Sequence, residues 1–150
     1  MKLEDEIKQK IFANEYSKTA INILYTYSYI YVNIQRFLKK YGLTPEQYNV
    51  LRILRGQYPE PCSINTIQER MLNKTSNASR LVDKLVAKNL VERQQNAADR
   101  RHVDVIISKP GFQLLANLDK PVSELHRHII NLSESEARFL NQLLDKLRGG

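Results

Sequence analysis

The 150-residue chain holds one cysteine, Cys62, so no disulfide can form within it and a scaffold stapled by such bridges is excluded. No apolar run reaches membrane-spanning length and no secretory pattern of basic, apolar and small residues is present, so a cytosolic protein off the membrane is expected. Phosphate-cradling glycine loops, a nucleophile elbow and carboxylates paired on a pocket-forming element are all missing. His102, His126 and His128 stand apart from cysteine and carboxylates at metal-ligand spacing. His126-Arg127-His128 therefore reads as a solvated helix face, with a weak zinc site as the sharper alternative. Neither an enzyme nor a cofactor nor a resident metal is expected. Without an internal repeat, a low-complexity tract or a linker, residues 1–150 are expected to form one domain.

What is present points toward an anion. Twenty-three Lys and Arg against 16 Asp and Glu give a net charge of +7 and a pI near 9.5. No basic segment is paired with a strongly apolar face of the interfacial type, so nucleic acid comes before membrane as the partner. With 42% hydrophobic and 26% charged residues the chain can bury a real core and is not disordered.

Taken in order, Met1 to Phe12 places Leu3, Ile7 and Ile11 on one face, which predicts a helix that extends the next one or folds back as an arm. From Ser17 to Tyr41, residues Ala20, Leu24, Tyr27, Tyr31, Ile34, Leu38 and Tyr41 alternate spacings of four and three, the seam of helices packed side by side. Ile21, Ile23, Ile30 and Phe37 add a second apolar line. A helix with two apolar faces needs two partners, and in a chain this short the second is another copy. Tyr25, Tyr27, Tyr29 and Tyr31 have two readings: a core edge or interface, or the wall of a small-molecule pocket.

Gly42 ends this helix, and Thr44-Pro45-Glu46-Gln47 is a capping box with proline at the first helical position. The next helix buries Val50, Leu51 and Leu54 and stops near Gly56, and Tyr58-Pro59-Glu60-Pro61 is a stiff connector. Further on, Ser108-Lys109-Pro110-Gly111 opens a helix with Leu114, Leu115 and Leu118 inward. Pro121 kinks it or begins a new turn, and Val122, Leu125 and Ile129 continue the apolar line. A second capping box, Ser133-Glu134-Ser135-Glu136, leads into a last helix with Ala137, Leu140, Leu144 and Leu147.

Between these flanks, Ser63 to Met71 predicts a short helix capped by Ser63, with Ile64, Ile67 and Met71 as its stripe and a turn at residues 72–74. Asn73 to Lys88 predicts a second helix, because Ala78, Leu81, Val82, Leu85 and Val86 recur at the spacing of one buried stripe; Asn73 or Thr75 can cap it. Ser76, Asn77, Ser79, Arg80 and Lys84 occupy its other face, which either is merely solvated or meets a DNA groove. Residues 90–94 and 103–107 are β-branched, partly alternating runs around the polar loop 95–102, a hairpin whose tip holds Asp99, Arg100 and Arg101. Two short helices followed by a two-stranded wing make a winged helix-turn-helix. Cys62 reads as a buried small hydrophobe, with a redox thiol as the alternative.

The run Leu43-Thr44-Pro45 with Tyr48, Leu51 and Leu54, the run Arg80-Leu81-Val82-Asp83-Lys84-Leu85 with Leu90-Val91-Glu92-Arg93, and Asp99-Arg100-Arg101 followed by Val105 and a helix near Gly111 resemble the multiple-antibiotic-resistance regulator (MarR) family. The similarity covers nearly the whole chain, and the Asp-Arg-Arg wing is its most diagnostic part. Asn89 stands where the family commonly has glycine, and no proline precedes Asp-Arg-Arg. Asparagine is the next-best residue at a left-handed helix end, so the first departure keeps the fold. Redox-sensing members carry their cysteine in the N-terminal helix, and this chain has none there.

The resemblance implies a mainly α fold with a small β-hairpin wing: a winged helix-turn-helix over residues 44–107 bracketed by dimerisation helices at 1–41 and 111–150. The implied function is sequence-specific binding of double-stranded DNA by a transcriptional regulator, a dimeric repressor released by a small aromatic or phenolic effector. At the groove, Ser76, Asn77, Ser79 and Arg80 are expected at base edges, Lys74, Thr75 and Lys84 at phosphates, and Arg100 and Arg101 at the wing. Tyr25, Tyr27, Tyr29 and Tyr31 are the candidate effector wall. Leu24, Tyr27, Tyr31, Ile34, Leu140, Leu144 and Leu147 are the candidate seam of a homodimer, whose two-fold axis calls for a palindromic operator. The alternative is a winged helix used to dock proteins without binding DNA.

Overall fold

The computed structural model describes residues 1–99 and 101–150, so Arg100 lies outside the described residues. Met1–Leu115 and Ala116–Gly150 form two compact units. The first element, α1, is a single turn over Leu3–Glu6. The helix expected through Phe12 does not form: Lys8 takes a φ of +55°, a left-handed conformation that a helix cannot continue through. Leu3 alone of the expected stripe is buried, and Ile11 is 85% exposed. The arm is held to the next helix by the Glu4–Lys18 ion pair and by Tyr25 Oη, which donates to Glu6 Oε2 at 2.7 Å.

Helix α2, Glu15–Lys39, starts where the Asn14 side chain accepts the Ser17 N–H and buries only Leu38. Gly42, at φ +69°, turns the chain, and the Leu43 N–H returns to the Leu38 carbonyl. Helix α3, Pro45–Gln57, carries the expected capping box and buries Val50, Leu51 and Leu54 together with Tyr48 and Gln47. Each such apolar side chain contributes about 1.5–3 kcal/mol by leaving water.

Strand β1, Cys62–Ser63, was not expected: two residues are too few for alternation to register. Helix α4 follows at Ile64–Arg70, with the Ser63 hydroxyl accepting the Thr66 N–H. Helix α5 spans Ala78–Ala87 and is capped by Asn77, which overturns the expected start at Asn73 or Thr75. After Asn89, at φ +57°, strands β2 (Val91–Gln95) and β3 (Val103–Ile107) pair antiparallel with Val91 opposite Ile107 and Gln95 opposite Val103. β1 adds to the free edge of β3, with Cys62 opposite Val105, giving the order β1-β3-β2. Cys62 is buried, as a small hydrophobe would be, and burial pushes its thiol up.

Helix α6, Lys109–Ile129, runs through Pro121 as one element, so no new helix begins there. Its start is fixed by Ser108 Oγ, which accepts the Gly111 N–H at 3.1 Å and donates to the Asn89 carbonyl at 2.8 Å. A Cβ on Gly111 would lie 2.2 Å from the Leu90 carbonyl oxygen, so the joint closes only around a residue with no side chain. Helix α7, Glu134–Leu147, has the second capping box and no buried residue. Among the described residues no helix is long and apolar enough to cross a membrane.

Candidate nucleic-acid interface

Helix α5 turns Ala78, Val82 and Leu85 inward, and Ser79, Arg80, Asp83 and Lys84 are exposed. The turn before it is built by polar side chains. Asn73 Oδ1 accepts the Thr75 N–H at 3.0 Å and the Thr75 hydroxyl at 2.7 Å. From α4, Gln68 donates to the Lys74 carbonyl at 3.2 Å and accepts the Ala78 N–H at 3.0 Å. Asn77 Oδ1 accepts the Arg80 N–H at 3.0 Å, so two of the helix's orphan donors are satisfied before any ligand arrives. From α3, Asn49 Oδ1 takes the Leu72 N–H at 2.9 Å and pins the far side of the turn.

The expected groove residues divide accordingly. Ser79, Arg80 and Lys84 sit on the exposed side of α5. Asn77 precedes the helix and spends its carbonyl oxygen as the cap, which leaves its amide as a donor. Lys74 donates its ammonium to the Glu69 carbonyl, and Thr75 its hydroxyl to Asn73. The Ser76 hydroxyl oxygen is buried and has no hydrogen-bond partner among the described residues, so it faces in rather than out. Sequence reasoning missed Gln68 and Asn49, because neither falls on an apolar stripe and both act across long separations.

The wing is anchored at both ends. At its base, Arg93 of β2 pairs with Asp83 of α5. Near its tip, Asn96 donates to Asp104 Oδ2 at 2.7 Å and accepts the Ala98 and Asp99 N–H groups at 2.8 and 2.9 Å. Asp99 in turn accepts the Arg101 backbone N–H at 3.0 Å and Nε at 3.2 Å, and stands 3.1 Å from His102 Nδ1. The backbone N–H of Arg101, and then its guanidinium, hold the Asp99 carboxyl below the usual carboxylate range. Arg101 is bound through Nε while its side chain is 89% exposed, which leaves the two terminal nitrogens of the fork for another acceptor.

Tyr25, Tyr27, Tyr29 and Tyr31 of α2 do not line one wall. Residues two apart on a helix point about 200° from each other. Tyr25 and Tyr29 border a cleft of ≈ 190 Å³ with Met1, Leu3, Glu6, Asn22 and Thr26. Tyr27 and Tyr31 pack with tilted rings, centroids 5.8 Å apart, and Tyr31 Oη donates to Glu46 Oε1 of α3 at 2.8 Å. Among the described residues no group of three His, Cys, Asp or Glu is placed to hold a metal ion.

Comparison with known proteins bears on this architecture. A profile of the MarR family matches residues 43–103, the segment from just before α3 to the first residue of β3. The HTH-type transcriptional regulator MhqR of Bacillus subtilis is 27% identical over 116 residues, 77% of this chain and 79% of that protein. The HTH-type transcriptional repressor IacR of Pseudomonas putida is 28% identical over 114 residues, 75% of this chain and 67% of that one. In fold, the chain is similar to a mutant of MarR from E. coli complexed with operator DNA, at a TM-score of 0.79 and 23% identity, covering 92% of this chain and 99% of that chain.

Proposed function

The chain belongs to the MarR family, and from that premise we propose that it is a sequence-specific, double-stranded DNA-binding transcriptional regulator, a dimeric repressor that a small ligand releases. The observation that carries this reading is the polar face of α5, held at its start by Gln68 and Asn77 and followed by a wing that projects Arg101. In a chain of net charge +7, that face meets a DNA major groove better than it meets water. Arg80 and Ser79 read base edges, with the Asn77 amide beside them. Lys84, Lys74 and Thr75 take phosphates, and Arg101 follows the adjacent backbone. On this reading the protein acts in the cytoplasm and performs no chemistry of its own.

A second copy of the chain is the other expected partner. On α2, Leu24 is 68% and Tyr27 55% exposed; on α7, Leu140 is 42% and Leu147 60% exposed, with Leu144 half-buried. Apolar surface of this kind is covered in a stable regulator, and a two-fold pair would place two α5 helices on half-sites about 10 base pairs apart. The cleft beside Tyr25 and Tyr29 suits a single-ring phenolic effector, which acts only by binding one arrangement of the α5 helices better than another.

Duplexes selected from a random pool by the purified protein test the reading. Arg80→Ala should cost about 1–3 kcal/mol on the selected duplex and little on a random one, whereas Lys84→Ala should weaken both and lower the salt slope by about one. A wild-type chain with no salt-dependent duplex binding would leave the protein-docking alternative in its place.

A further inference from the structure

We propose that Lys88 is a positioning residue, an ammonium that joins the ends of three helices and fixes where the reading helix lies; the inference rests on the DNA reading of α5. Lys88 closes α5: its backbone N–H returns to the Leu85 and Val86 carbonyls. Its side chain leaves the helix and donates to the carbonyl of Gly42, in the turn that follows α2, and to Gln47 Oε1 at 2.9 Å. Gln47 is 3% exposed, and the same oxygen accepts the Thr44 N–H at 3.3 Å in the box that starts α3.

Three properties make this contact more than a surface bond. Helix C-termini carry partial negative charge, and the ammonium bonds a carbonyl just past one of them, the end of α2. Hydrogen bonds from an ionised donor are about twice as strong as neutral ones. The partners lie 46 and 41 residues away in sequence, so the contact sets tertiary position and adds nothing to the helix it ends. One residue before Gln47, Glu46 accepts from Tyr31 of α2, so the first turn of α3 is gripped from α2 and from α5 at adjacent positions. A displacement of α2 therefore reaches the C-terminal end of the reading helix through Lys88. With two of its three ammonium donors taken within the chain, Lys88 has less to offer a phosphate than Lys84 one turn earlier.

The test compares the full-length wild type with Lys88→Met and Gln47→Met on selected and random duplexes over a range of salt, with thermal melting as the control for folding. Lys88→Met should lose about tenfold on the selected duplex, leave the random duplex and the salt slope unchanged, and be partly rescued by Lys88→Arg. Gln47→Met, which keeps the charge, should lose as much, and the double variant should be no worse than Lys88→Met alone. Equal weakening of both duplexes with a slope lower by about one would make Lys88 a phosphate ligand and overturn the proposal. Additive losses, or no loss, would overturn it too. A wild type that prefers no duplex removes the DNA reading and this inference with it, whereas a specific wild type beside an indifferent Lys88→Met removes the inference alone.

Discussion

Tyr31 is the residue whose surroundings alter its chemistry most visibly. Burial first, and the bond to Glu46 second, push its phenol up to about 12. A raised value means that the folded chain favours the neutral phenol. The resulting stability is full below the ordinary phenol value of about 10 and is lost as pH rises through about 12. An absorbance titration of tyrosinate should therefore show a late-ionising step that Tyr31→Phe abolishes, with a cost of about 0.5–1.5 kcal/mol in urea unfolding. A variant that lacks only a step near the ordinary value of about 10, with the late step still present, would show that the burial and the Glu46 bond are not kept in solution. The spacing of Tyr27 and Tyr31 in an apolar seam was readable from the sequence, because i and i+4 share a face. Their partition from Tyr25 and Tyr29 was readable as well, from the angle between residues two apart. Glu46 as the partner was not, since it belongs to another helix.

At the scale of elements, the legible boundaries are those written locally. The capping boxes at Thr44 and Ser133 place cap and N3 residue within four positions, and both helices start where that signature puts them. The start of α5 was not legible. Asn73, Thr75 and Asn77 are all competent caps, and what selects Asn77 is Gln68, which takes the Ala78 N–H from ten residues away. The N-terminal arm failed for a related reason: periodicity promised a helix, and the Lys8 backbone and the Glu4 and Glu6 contacts to α2 prevailed. Asn77→Ala should accordingly cost about 1 kcal/mol, whereas Asn73→Ala, which loses only contacts to Thr75, should cost less. Denaturant unfolding decides between them, and the reverse order would return the cap to Asn73.

For the whole molecule, the winged helix is self-sufficient in its burial, and α2 and α7 are not. Leu51, Leu54, Ile67, Met71, Val82, Leu85, Val91 and Val105 are fully or almost fully buried within a single chain, while α7 buries nothing and α2 only Leu38. The apolar stripes of all these helices were visible in sequence. Which stripe a chain covers with its own residues was not, because periodicity reports a face and not its occupant. If a second copy covers α2 and α7, changing Leu140 and Leu144 together to Glu should give monomers or unfolded chains and abolish operator binding. A folded wild-type monomer at tens of micromolar in light scattering, an order-of-magnitude range for a weak interface, would remove the dimer and the palindromic operator.

The joint at Gly111 has a bearing on how this chain can change. A methyl group there would meet the Leu90 carbonyl at 2.2 Å and Ile107 Cγ1 at 2.9 Å, while at Gly56 nothing stands within 4 Å. In a saturation library the two glycines should part completely: position 56 stays permissive, and position 111 tolerates no replacement, although it touches neither the proposed groove residues nor the tyrosines. A lineage drifting freely over its surface would keep that one hydrogen atom in place of a side chain, because the wing and α6 cannot both stay where they are without it.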